Sequence, residues 1–262
     1  MPDALNAGTR IYWEEHGHGE PVLLIMGLGA TLEQWHRVTP MLSPKYRTIL
    51  FDNRGAGRSD APPGPYSIPQ MADDALAVLA AAGATTARVF GASMGGMIAQ
   101  ELALNHPQRV RSLILGCTAP GGKAAVAADR EVGAALAARI TLPIDQAIRA
   151  MVPFTYDAST PRDRIEEDIA IRKRTAMSND AFGAQYQAIR SWPGTIDRLQ
   201  TLAMPVLVIH GETDRLVPPE NGRILARAIP HSTLVMLPDA SHIFFTDQPE
   251  ASRSAILQFL SV

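Results

Sequence analysis

Short runs of β-branched residues and leucine alternate along the chain with longer stretches in which apolar residues return every three or four positions. The first pattern fits strands and the second helices, and their alternation predicts an α/β fold, a mostly parallel sheet with crossover helices on both faces. Residues 10–15 alternate apolar with polar and should pair antiparallel at the start of the sheet. Residues 21–25, 46–52, 87–90, 111–115, 204–210 and 233–237 read as strands buried on both faces. Thr31 with Gln34 and Ser67 with Gln70 have the spacing of a capping box, so helices should begin near residues 32 and 68. The second runs through Met71, Leu76 and Leu79 to Gly83, a residue able to take the left-handed conformation that closes a helix.

From Pro120 to Trp192 the strand pattern stops. Val132, Leu136 and Ile140 at a spacing of four, then Ile165 and Ile169 behind a Thr160-Pro161 start, predict an all-helical stretch. Strands return after Pro193-Gly194. The expected organisation is therefore one core interrupted by an insertion, with residues 1–119 and 196–262 forming the core and 120–195 a helical cap. A length of 262 residues falls between one domain and two, and an interrupted core resolves that ambiguity.

A hydrophobic fraction of 46% with 19% charged residues belongs to a folded body rather than a disordered chain. The 24 basic and 26 acidic residues leave a net charge of −2 with no basic block, so neither nucleic acid nor a membrane surface is an expected partner. Residues Met1 to Arg10 lack the apolar core of a signal peptide, and no run of 18 apolar residues occurs, which makes a cytoplasmic location the expectation. The single cysteine, Cys117, cannot form an intrachain disulfide and ends an apolar run, so it reads as packed rather than reactive.

The sharpest chemical signal is Gly91-Ala92-Ser93-Met94-Gly95-Gly96, a G-x-S-x-G between a strand and the helical pattern that starts at Met97. A nucleophile on so tight a turn needs flanking residues without side chains, and the turn exposes Ser93 Oγ. The start of a helix also leaves unpaired backbone N–H groups, Met94 first, beside the place where an oxyanion would form. A serine hydroxyl needs a base, and the base an orienting carboxylate. Of seven histidines, His242 lies in the loop after the last strand, where strand ends collect ligands; His16, His18, His36, His106 and His231 read as solvated or structural, and His210 as a satisfied core residue. The loop after residues 204–210 offers two carboxylates, Glu212 and Asp214. Spacing does not separate them, although Asp214 sits deeper in the loop.

These segments resemble the α/β-hydrolase-fold serine hydrolases over roughly Pro21 to Thr118 and Leu202 to Val262. Gly91 to Gly96 match the nucleophile elbow, Gly211-x-x-Asp214 with Val217-Pro218 the acid loop, and Ser241-His242 with Gln248-Pro249-Glu250 the histidine loop. The resemblance implies the triad Ser93, Asp214 and His242, and an oxyanion hole of the Met94 and Leu28 backbone N–H groups, with Met26 where the family often has histidine. Asp52-Asn53-Arg54-Gly55-x-Gly57-x-Ser59-Asp60 and the stretch Pro62 to Ile68 resemble the branch of 3-oxoadipate enol-lactonases, esterases and acyl-homoserine lactonases. It implies a carboxylic ester hydrolase acting without cofactor or metal on a small ester or lactone. The same triad serves C–C bond hydrolases and cofactor-free perhydrolases, and a low-turnover binding protein could keep it as well.

Two further readings bear on the substrate. Gly27-Leu28-Gly29 imitates a dinucleotide fingerprint, but Leu32 occupies the third glycine's place, so a nicotinamide enzyme is not expected. The expected substrate wall is Leu28, Trp35, Phe154, Tyr186, Trp192, Leu216 and Ile243, mostly apolar, which favours an uncharged substrate. Arg190 and Arg215 are the cations close to these positions. Whether they face the cavity separates an apolar substrate from one that carries a carboxylate.

Overall fold

The computed structural model describes residues 3–139, 141–175 and 177–261. Among the described residues eight strands form one sheet: β1 (Asp3–Asn6), β2 (Thr9–His16), β3 (Glu20–Ile25), β4 (Tyr46–Phe51), β5 (Ala87–Ala92), β6 (Val110–Gly116), β7 (Val206–Gly211) and β8 (Ser232–Leu237). Their order is β1-β2-β4-β3-β5-β6-β7-β8. Both pairings of β2 are antiparallel and all the others are parallel. The α-helices in chain order are α1 (Thr39–Leu42), α2 (Ile68–Ala81), α3 (Met94–Asn105), α4 (Arg130–Ala138), α5 (Ile144–Thr155), α6 (Arg162–Arg174), α7 (Asn179–Ser191), α8 (Glu220–Ala228), α9 (Phe244–Asp247) and α10 (Pro249–Leu260).

Successive residues of a strand point to opposite faces, so each central strand feeds two separate cores. Leu23, Ile25, Val89, Leu113, Leu115, Val206 and Val208 pack with α2 and α3 on one face. Val22, Leu24, Phe90, Ile114, Leu207 and Ile209 pack on the other with Leu42 of α1, Phe244 of α9 and Ile256 of α10. Burial on both faces is what produced the continuous apolar runs in the sequence.

Three local expectations change. The Thr31 box does form, the Gln34 side chain accepting from the Thr31 N–H, but it opens a single 3-10 turn over Leu32–Trp35, and a separate four-residue α1 follows. Residues 233–237 are not a strand buried on both faces: β8 is the sheet edge, and only its last residue, Leu237, is buried. A parallel edge strand still needs apolar residues against its one neighbour and the helices beside it, so its sequence imitates a central strand. β1 was not anticipated, being four residues with one buried position. The Ser67 cap holds as expected, with the Gln70 N–H donating to its hydroxyl, and α2 closes before Gly83 at φ 65°. Ile140, which the spacing places in a helix, lies outside the described residues.

Between β6 and β7 the chain forms α4, α5, α6 and α7 and no strand among the described residues. The sheet order reverses around β3, with β4 on one side and β5 on the other. A crevice opens at the carboxyl ends of strands where the order reverses, and such crevices collect ligands in open parallel sheets.

Candidate active site

The chain leaves β5 at Ala92 and enters α3 at Met94, so Ser93 makes the turn alone, with φ 58° and ψ −123°. That conformation costs a residue with a Cβ about 1–3 kcal/mol. The flanking glycines make it possible. A Cβ on Gly91 would lie 2.2 Å from the Gly95 carbonyl oxygen, and one on Gly95 would lie 2.0 Å from the Ile25 carbonyl oxygen. Both obstacles are backbone. The Ser93 N–H donates to the Gly116 carbonyl at 2.9 Å and the Thr118 hydroxyl donates to the Ser93 carbonyl at 2.7 Å, which pins the turn to β6 and the chain just beyond it.

Asp214 and His242 come from the loops after β7 and β8, and both are buried. His242 Nδ1 lies 2.9 Å from Asp214 Oδ2. Burial pushes the Asp214 carboxyl up, but the charge and hydrogen bonds of His242 and His210 more than offset it and hold the carboxyl below its ordinary value. An ionised carboxylate only accepts, so Nδ1 carries the proton and Nε2 is left as the basic nitrogen of His242. The Val217 N–H donates to the other oxygen, Oδ1, at 2.8 Å. Ser93 and His242 line one cavity, with no hydrogen bond between their side chains among the described residues.

His210 is not the satisfied core residue that its position implied. It is fully buried, and its Nε2 lies 2.8 Å from the Val217 carbonyl and 3.2 Å from Asp214 Oδ2. Two acceptors on one nitrogen place the proton there, while Nδ1 has no partner among the described residues. A Cβ on Gly222 of α8 would lie 2.8 Å from that Nδ1, so the helix must present a glycine to the ring. The signal in the sequence was a histidine four positions before the acid.

The loop after β3 runs against Ser93, since a Cβ on Gly27 would lie 2.9 Å from Ser93 Cβ. The backbone N–H groups of Leu28 and Met94 have no acceptor among the described residues, and both residues line the cavity. Met26, standing where histidine is frequent, accepts a hydrogen bond at its carbonyl from Asn53 Nδ2 at 2.8 Å. Gln185 of α7 is wholly buried, accepting from the Gly29 N–H at 3.0 Å and donating to the Arg54 carbonyl at 2.9 Å. One inserted helix is thereby bolted to the loop beside Ser93.

The cavity has a volume of about 160 Å³, comparable to a void that accepts a benzene-sized ligand. Leu28, Tyr186, Leu216 and Ile243 line it. Trp35, Phe154 and Trp192 do not, which corrects that part of the expected wall. Trp35 is fully buried against Phe90 and Phe245, at ring separations of 4.9 and 5.8 Å. Phe154 packs with Val132 and Met151 beneath the Arg215 guanidinium, and the Trp192 indole N–H donates to Glu101 at 2.8 Å. Large aromatic rings fill cores by default, and sequence position does not tell a core ring from a cavity ring. Cys117 is buried as expected yet also lines the cavity; burial pushes its thiol well above its ordinary value and keeps it protonated.

Neither anticipated arginine faces this space. Arg190 is exposed, and Arg215 is paired with Asp129 and Glu131 at 2.8 and 2.7 Å. Two others do line it, Arg139 just past the end of α4 and Arg172 of α6.

A family model described as the alpha/beta hydrolase fold matches residues 20–249. BpoC of Mycobacterium tuberculosis, named for a non-heme bromoperoxidase, is 32% identical over 95% of this chain and 97% of its own length. The 3-oxoadipate enol-lactonase 2 of Acinetobacter baylyi is 33% identical over 87% of this chain and 84% of its own. Among solved structures, the enol-lactonase of Burkholderia xenovorans superimposes with a TM-score of 0.89 at 27% identity, covering 100% of both chains. No helix among the described residues is long and apolar enough to cross a membrane.

Proposed function

Because the chain belongs to the alpha/beta hydrolase family, we propose that it cleaves the ester or lactone bond of a small substrate through an acyl-enzyme on Ser93. The observation that carries this reading is the convergence of three loops. Ser93, on its strained turn, shares a cavity with His242, whose Nδ1 is held by the buried carboxylate of Asp214.

In the first step His242 Nε2 takes the Ser93 proton as Oγ attacks the carbonyl carbon, and Asp214 steadies the imidazolium. Charge developing on the carbonyl oxygen is met by the Leu28 and Met94 N–H groups, which have no other acceptor among the described residues. His242 then gives its proton to the leaving oxygen, and water attacks the acyl-enzyme by the same route in reverse. Reactants must come within about 3–3.5 Å for this, so substrate binding has to bring Oγ and Nε2 together. A lactone's leaving alcohol stays tethered to the acyl group, so the pocket must turn it away before it recloses the ring. All four inserted helices send residues to the cavity, for example Leu136, Met151, Arg172 and Phe182, and we assign residues 120–195 this role of cap.

Replacing Ser93 by Ala is the direct test. Hydrolysis of an aryl ester and labelling by a fluorophosphonate should both disappear, with kcat lower by several orders of magnitude and an unchanged melting temperature. Near-normal turnover by that variant would falsify the assignment. As the base must be unprotonated, kcat/KM should also fall on acidification, and a profile flat down to about pH 5 contradicts the role of His242. The likeness to BpoC favours a second reading in which peroxide replaces water as acyl acceptor; product analysis with both nucleophiles present measures it.

A further inference from the structure

Among the described residues, the walls of the cavity at Ser93 carry two arginines and no carboxylate. Of the described residues that line the cavity none is Asp or Glu, and the charged pair is Arg139 and Arg172. Arg139 is 9% exposed, and Arg172 is half-buried. Neither guanidinium has a hydrogen bond or an ion pair among the described residues. Several other arginines meet a carboxylate. The buried Arg54 is paired twice with Asp74 at 2.6 Å, and Arg37, Arg149 and Arg198 each meet a carboxylate.

An unpaired buried guanidinium is expensive, because the charge has lost water and gained no anion. The Arg139 guanidinium stacks over the Phe182 ring, whose centroid lies 4.1 Å from Cζ. Stacking of that kind satisfies the face of the guanidinium and leaves its edge of N–H donors unmet. Burial and the like charge of Arg172 together push Arg139 down to about 10, so it stays a cation at neutral pH. Its place is also fixed relative to the chemistry. A Cβ on Gly29 would lie 3.0 Å from an Arg139 terminal nitrogen, and Gly29 follows Leu28 in the loop beside Ser93.

We infer that Arg139 and Arg172 form a clamp for a carboxylate borne by the substrate, so that the ester or lactone cleaved at Ser93 is an acid with a second, free carboxylate. The planar guanidinium edge matches the two oxygens of a carboxylate, and an anion between two unpaired cations removes their repulsion as well as their desolvation penalty. Such a substrate differs from the uncharged one that the expected apolar wall favours. With a cavity of about 160 Å³, the free carboxylate and the scissile carbonyl must be joined by a short spacer. This inference rests on the hydrolase reading of Ser93, and its experiment keeps the two separable.

The kinetic arm compares aryl half-esters of glutaric and adipic acid with the aryl esters of the monocarboxylic acids of equal chain length. Wild-type kcat/KM should favour a half-ester by roughly 10- to 100-fold, the span expected for a charge-assisted hydrogen-bonded pair. In Arg139→Gln that ratio should fall to near one, and Arg172→Gln, at a half-buried position, should lower it in the same direction. The binding arm needs no turnover: hexanoate should raise the melting temperature of the wild type more than hexanamide does, and the difference should vanish in both variants. If neutral esters are hydrolysed as well as half-esters and hexanoate protects no better than hexanamide, the clamp is overturned while the hydrolase survives. If no ester is hydrolysed but the hexanoate effect appears and depends on Arg139 or Arg172, the hydrolase reading fails and the anion site stands. A half-ester preference equally strong in both variants overturns the clamp.

Discussion

Asp247 ties the histidine loop to the inserted helices, and it does so at a measurable energetic cost at neutral pH. Its Oδ2 accepts from the Ser241 N–H at 2.7 Å, one residue before His242, and its Oδ1 accepts from the Thr160 hydroxyl at 2.6 Å, one residue before the segment that opens α6. Burial outweighs these two hydrogen bonds and, with the nearby charge of Asp157, pushes the carboxyl from 3.8 up to about 6. The native state therefore holds this proton more tightly than the unfolded chain does. Between those two values the folded protein binds more protons, so the contribution of this group to stability falls as pH rises and levels off above about pH 7. The interval from 3.8 to about 6 corresponds to about 3 kcal/mol, of which about 2 kcal/mol is lost between about pH 4.5 and 7.5. Asp247→Asn removes the titration and keeps both contacts in principle, its Oδ1 accepting from Ser241 and its Nδ2 donating to the Thr160 hydroxyl. Any pH-independent penalty of the substitution appears as a constant offset. Urea unfolding of both proteins across that pH range should show the variant gaining about 2 kcal/mol on the wild type. The reasoning is refuted if the difference between them does not change with pH.

Three further outcomes follow from the geometry of the site. Gln185→Ala leaves the Gly29 N–H and the Arg54 carbonyl unpaired in a buried place, so it should lower stability by about 2–4 kcal/mol. It should also reduce kcat more than a Gln187→Ala control on the exposed face of α7; equal kinetics for the two would mean that the tie does not position the oxyanion loop. His210→Phe conserves a buried ring but removes the donor at 3.2 Å from Asp214 Oδ2, and should lower kcat by about tenfold with little change in KM. A stability loss with kcat intact would assign His210 to packing alone. Gly95→Ala places a Cβ 2.0 Å from the Ile25 carbonyl oxygen, and melting should show a loss beyond about 3 kcal/mol or no soluble protein.

Residues that must be special because of their own backbone could be read in advance. Ser93 needs a left-handed φ and bare neighbours, and both demands are local, so Gly91, Ser93 and Gly95 announced the turn. Continuous apolar runs announced β3, β5, β6 and β7, because a strand covered on both faces has little room for polar side chains. The same logic failed at β8, where an edge strand carries a similar run, and at β1, which is too short for a period to show. His242 was legible as a position in the loop after the last strand and Asp214 only as one of two carboxylates in another loop, while their contact at 2.9 Å joins residues 28 apart.

What the sequence determined by itself was therefore the central strands, the helical stretch between β6 and β7 and the glycine-flanked turn at Ser93, each written in short-range spacing. The tertiary structure alone decided what surrounds Ser93. It withdrew Trp35, Phe154 and Trp192 into packing, tied Gln185 to Gly29 across 156 positions, and brought Arg139, just past α4, and Arg172 of α6 into the cavity. An arginine reads identically in sequence whether a carboxylate meets it or not. Whether its charge meets a carboxylate or lines a cavity depends on distances between segments that spacing does not encode.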